Sequence, residues 1–142
     1  MPLLNYTTQI DVEKTIAEIQ KNLSTHGAQK IMTDYEDGYV KALTFVIPFN
    51  DRLVGFRLPT DWKPVLTLLE QDLKVPRRLC TQEQAVKVAW RIVKDWIEAQ
   101  MAIVDTKMVR MQDVFLPYAI TKEGITLAEK FDRPGSNLLG SG

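Results

Sequence analysis

Thr81-Gln-Glu-Gln-Ala-Val-Lys-Val-Ala-Trp-Arg-Ile-Val-Lys-Asp-Trp-Ile-Glu-Ala-Gln-Met-Ala-Ile-Val-Asp-Thr-Lys107 reads as one long helix, and its pattern decides how the rest of the chain must be arranged. Val86, Ala89, Trp90, Val93, Ile97, Met101 and Val104 recur at spacings of three and four, which places them on one buried face. Val88, Ile92, Trp96, Ala99 and Ile103 form a second apolar flank beside it. Thr81 followed by Gln84 predicts a capping box: the hydroxyl accepts a first-turn N–H while the glutamine side chain reaches back to the cap. Such a helix, over about 82–107, is close to ~40 Å long, more than a domain of this size is wide. Its second flank therefore needs a cover, either the C-terminal segment or a second copy, and a homo-oligomer is expected.

Working back from this helix, Pro76 breaks the linker that precedes it. Thr60-Asp61 caps a shorter helix with Trp62, Val65, Leu66, Leu69 and Leu73 as its apolar residues. Further upstream the period changes from 3.6 to 2. Ile31, Thr33 and Tyr35 alternate with Lys30, Met32 and Asp34; Asp37-Gly38 supplies a turn; Tyr39 to Ile47 returns; and Asn50-Asp51 turns the chain into Arg52 to Leu58. Before this meander, Asp11 caps a helix carrying Val12, Ile16, Ile19 and Leu23, which Gly27 ends. Tyr6, Thr8 and Ile10 form an extended arm or edge strand.

On the other side of the long helix, Val109 to Tyr118 is an apolar but irregular run, and Thr126 to Phe131 forms a short helix. The fold class is α+β: an N-terminal helix, an antiparallel meander of three or four strands, and two C-terminal helices of which one is long. Residues 1–132 are expected to form one domain, and 133–142, rich in Gly and Ser, a flexible tail.

Composition narrows the function classes. The 142 residues are 45% hydrophobic and 25% charged, as in an ordinary globular protein large enough to bury a core. Eighteen basic and eighteen acidic residues cancel, so no global field draws the chain to polyanions. One cysteine, no leader-like N-terminus and no apolar run of about 20 residues lead to the expectation of a cytoplasmic protein that does not engage membranes.

No phosphate-cradling glycine loop, zinc knuckle, Ser-His-Asp order or HExxH helix occurs, so neither a metal nor a cofactor is expected, and the chain leans away from enzymes. Asp34, Glu36 and Asp37 cluster at a turn that accounts for them without chemistry. Cys80 has only His26 as a potential base, and His26 suits the carbonyls at its helix end.

The basic residues are the stronger candidates. Lys87, Arg91 and Lys94 share one helix face, and Arg77 and Arg78 enter near that helix's N-terminus, an arrangement able to meet phosphates. Arg57 stands on the strand face opposite Val54, Phe56 and Leu58, as an anion ligand if covered and as an edge charge if open. Trp90, Trp96, Ile103, Phe115 and Tyr118 make up the candidate interaction surface.

The strings Tyr6-Thr-Thr, Lys14-Thr-Ile-Ala-Glu-Ile, Phe56-Arg-Leu-Pro, Val75-Pro-Arg-Arg, Ala89-Trp-Arg-Ile-Val-Lys-Asp-Trp-Ile-Glu-Ala-Gln and Val114-Phe-Leu-Pro-Tyr span nearly the whole chain apart from its tail. In them the protein resembles a family of small uncharacterised proteins carried by bacteriophages and prophages. The resemblance implies a phage context and carries no site residues. The expected function is a non-catalytic, oligomeric phage-type accessory protein that binds nucleic acid or a nucleotide through the basic patch. The alternative is a protein-interaction module of anti-defence type, inhibiting or recruiting a host protein through the apolar flank of the long helix.

Overall fold

The computed structural model describes residues 3–135. Helix α1 (Val12–Thr25) precedes strands β1 (Lys30–Glu36), β2 (Tyr39–Phe49) and β3 (Arg52–Arg57). Helices α2 (Trp62–Gln71) and α3 (Gln82–Asp105) follow, then the short α4 (Met111–Val114) and α5 (Leu127–Phe131). The sheet is an antiparallel meander in the order β1-β2-β3. Asp37 (φ 52°) and Gly38 (φ 82°) both take the left-handed conformations that a tight two-residue hairpin turn demands. The register places Ile31, Phe45 and Phe56 in one row facing the helices, while Met32, Thr44 and Arg57 form a row on the opposite, outer face. A fourth, minimal strand pairing comes from the C-terminal run: Ala119 bridges Phe56, and Ile120 N–H donates to the Gly55 carbonyl at 2.8 Å.

Helix α3 is apolar over so much of its surface because four neighbours touch it: the sheet, α2, α1 and the C-terminal run. Val86, Trp90, Val93, Ile97 and Met101 enter the main core with Leu43, Phe45, Ile47 and Phe56 of the sheet. Ala85 packs with Leu69 of α2 and Val75, and α1 lies along a further side. The second flank is covered in cis at Trp96, while Ala99 and Ile103 stay exposed. Trp96 meets Phe115 at 5.5 Å and Tyr118 at 5.6 Å, both edge-on, and Phe115 meets Phe45 edge-on at 5.4 Å. Phe115 and Trp90 are buried in this core rather than on an interaction surface, which corrects the expectation for both residues. Ile103 and Tyr118 keep partial exposure.

Local signals were realised unevenly. Thr81 Oγ1 accepts from Gln84 N–H at 3.1 Å, but the Gln84 side chain turns away from the cap and donates to the carbonyls of Tyr6 and Thr8 at 2.9 and 3.0 Å, tying the N-terminal arm to α3. Asp11 occupies the α1 cap position without a capping hydrogen bond, whereas Asp61 caps α2 by accepting from Lys63 N–H at 3.0 Å. The helix ends at Asp105, just short of the expected 107, with Lys107 in a left-handed conformation (φ 66°). Of the expected flexible tail, residues 136–142 lie outside the described residues, and Arg133 at its start pairs with Glu123 at 2.6 Å.

Truncating Phe115 removes contacts with both the sheet and Trp96. Phe115→Ala is expected to cost about 4 kcal/mol, measured by urea denaturation, the range typical of emptying a large aromatic site in a core.

Candidate functional site

The six candidate phosphate-binding cations divide by their surroundings. Arg91 is only 9% exposed; its Nη1 donates to Glu18 Oε2 at 2.6 Å and to Thr15 Oγ1 at 3.3 Å, inside the contact between α1 and α3. Lys87 faces Asp11 and Glu83 at 3.9 and 3.8 Å. Lys94 lies 2.7 Å from Glu98 and 3.7 Å from Asp95, and the Glu98 hydrogen bond holds its ammonium above the usual lysine range. The shared basic helix face is therefore not an open phosphate-binding surface: α1 supplies carboxylates from far upstream, and α3 adds its own. Arg91 in particular is corrected from ligand contact to helix-packing residue. Arg77 and Arg78 are exposed on a 3-10 turn (Arg77–Leu79) and appear in none of the ion pairs of the described residues.

Arg57 stands on the outer face of the sheet as expected. It is half-covered, donating to the Gly124 carbonyl at 3.3 Å and lying 4.0 Å from Glu129. Glu129 in turn completes a capping box at α5: its carboxylate accepts from Thr126 N–H and Oγ1 at 3.2 and 3.0 Å. These bonds, the backbone one foremost, hold the Glu129 carboxyl below the usual glutamate range.

Cys80 and His26 cannot form a catalytic pair. The thiol precedes the first turn of α3 and donates to the Leu69 carbonyl, while the imidazole contacts Asp105 at 2.8 Å at the last. A helix of 24 residues separates those ends by roughly 35 Å. The imidazole also meets the Asn22 carbonyl at 2.8 Å, so it closes α1 as its position suggested. Asp34, Glu36 and Asp37 are exposed, and Glu36 pairs with Lys41 at 3.3 Å. Glu36 and Asp37 border a cleft of about 380 Å³ with Lys41, Asp61, Lys63 and Trp62, in which charges of both signs alternate. Among the described residues no group of His, Cys, Asp and Glu is arranged to hold a metal ion.

The feature that pattern reading missed is on the far side of the sheet. A groove of about 580 Å³ runs between the outer face and the C-terminal run, with Val46, Thr44 and Gly55 beneath it and Met32, Leu53, Leu116, Ile120 and Leu127 around it. Gly55 lets Ile120 of the C-terminal run lie close against the sheet: a Cβ there would stand 3.3 Å from Ile120 Cδ1. The signal was present in Met32, Val46 and Leu53, outward-facing apolar residues on strands whose other face is already buried.

Two measurements test this geometry. Glu18→Ala leaves the Arg91 guanidinium buried without its carboxylate, and about 3 kcal/mol of stability should be lost; adding Arg91→Met should recover most of it, as read from urea unfolding. The depressed Glu129 pKa means that its capping contribution is fully present above the unfolded value of 4.5 and is lost as pH falls through the lower folded value. Amide signals of Thr126 and Glu129 in an NMR titration should report that loss only below pH 4.5, and Glu129→Gln should abolish the step. No family model matches the chain, and no curated protein or solved structure gives a significant match.

Proposed function

We propose that this chain is a non-catalytic accessory protein of phage type that docks a partner protein on the outer face of its sheet. The observation that carries the reading is the convergence of exposed apolar side chains on one groove: Met32 is 54% exposed, Leu53 51% and Leu116 42%. Scattered exposed apolar residues are ordinary, but a contiguous set around a concavity marks a contact surface. The chain itself supports the suitability of this face for protein, since its own C-terminal run covers part of it with Ile120 against Gly55. Recruitment or inhibition of a host protein fits the phage context implied by the local strings.

The nucleic-acid reading has less support. Lys87, Arg91 and Lys94 face carboxylates, and Arg57 leans on Glu129, which leaves Arg77 and Arg78 as the exposed pair. Two phosphate contacts give weak, shallow salt dependence. Expectations of a homo-oligomer built along α3 also lose their premise, because Phe115 and Tyr118 of the same chain cover Trp96.

Cross-linking and affinity capture with three forms of the protein distinguish the readings. Leu53→Asp should fold normally, its side chain being outward, yet bind the partner at least about tenfold more weakly, the loss expected for one desolvated anchor. An Arg77→Glu, Arg78→Glu variant should capture the same partner as the parent. Retention by Leu53→Asp with loss in the double arginine variant, together with steeply salt-dependent polynucleotide binding by the parent, would sink the docking reading and restore the phosphate one.

A further inference from the structure

The charges around the groove specify what fits it. Among the described residues, the only charged ones lining the groove are Arg52, beside the β2–β3 turn, and Lys122, in the turn that leads to α5. Both are exposed, and neither appears among the ion pairs of the described residues. Lys30 adds a third cation on the same side, since the register puts it in one row with Val46 and Gly55. Asp51 precedes Arg52 in the β2–β3 turn but does not line the groove, and the other acids nearby are committed or distant. Glu129 is held by Thr126 and Arg57, Glu123 by Lys130 and Arg133, and Asp34 stands toward the other end of β1, opposite Ala42. The result is an apolar trough whose lining carries two cations and no carboxylate among the described residues.

The shape restricts the occupant further. Backbone pairing at the β3 edge is already used by Ala119 and Ile120, so a partner strand cannot add there. The inner face of the sheet is covered by helices, and a helix is one of the elements that bury an apolar sheet face. A cavity of about 150 Å³ holds one benzene-sized group, so 580 Å³ takes three or four side chains, as many as a helix presents at i, i+3 or i+4, and i+7. We infer that the groove receives an amphipathic helix of the partner protein whose apolar stripe enters the trough and whose flanking Asp and Glu residues meet Arg52 and Lys122.

This assignment rests on the docking reading, and the test separates the two. The probes are two synthetic helical peptides with the same leucine stripe, one flanked by glutamates and one by lysines. They are titrated into the full chain at low salt and followed by NMR and fluorescence anisotropy. The acidic peptide should bind about tenfold tighter than the basic one, the ratio that two exposed rim charges support. Its shifts should centre on Val46, Gly55 and Ile120. Arg52→Glu with Lys122→Glu, both exposed and outside the core, should reverse the preference.

Equal binding of both peptides, a preference for the basic one, or shifts centred elsewhere would overturn the inference. So would the absence of binding by either peptide at millimolar concentration. In each of these cases the captured partner decides the broader reading: if Leu53→Asp still loses it, the docking face stands without the acidic helix, and if Leu53→Asp keeps it, the face itself is wrong.

Discussion

Phe115 stands edge-on between Phe45 of the sheet and Trp96 of α3, and most of the tertiary arrangement depends on that contact. A long helix with two apolar flanks is unstable in water unless both are covered. The sheet covers one flank. The other would stay wet if the chain ran on into solvent after Asp105, but the run from Met111 to Tyr118 turns back and inserts Phe115 and Met111 into the same core. The fold is thereby closed from its C-terminal side, and Trp96, central to the flank that suggested self-association, is covered within one chain.

That closure also builds the outer face. After Tyr118 the chain crosses the β3 edge, hydrogen-bonds Gly55 and places Ile120 over the position where that residue has no side chain. Covering only part of the outer face creates a groove, with the remaining strand residues as its floor and the C-terminal run as one wall. Helix α5, fixed by its Thr126–Glu129 capping box, holds the end of that wall near Arg57. The groove is thus a by-product of how the core is closed, and its basic rim comes from two turns that meet only in the folded chain.

The Arg91–Glu18 pair, buried at the guanidinium and half-buried at the carboxylate, has a different role. An ion pair between two helices adds little net stability, because desolvating both charges offsets their attraction. It does, however, penalise any rotation of α1 against α3 that would part them. Arg91 Nε is left buried without a partner, so the arrangement is not one of complete satisfaction. Its value lies in fixing which helix faces meet.

Much of the fold was legible in order and type: the 3.6-residue spacing around Trp90, the change to alternation at Lys30, and the Asp37-Gly38 turn are local properties that any packing of the chain must respect. Arg57 was placed on the outer face by alternation alone. What local pattern could not show is what lies opposite a residue. Lys87, Arg91 and Lys94 do share a helical face, yet Glu18 and Asp11 come to it from more than seventy positions upstream. Likewise Gln84 had the right spacing for a capping box, and the carbonyls of the N-terminal arm took its side chain instead. Periodicity reports the direction in which a side chain leaves its own backbone. Whether it meets solvent, a carboxylate or a phenyl ring is decided by long-range packing, which is why the helices and strands were determined by the sequence while the groove, the spent basic patch and the cis-covered Trp96 were decided only by the tertiary structure.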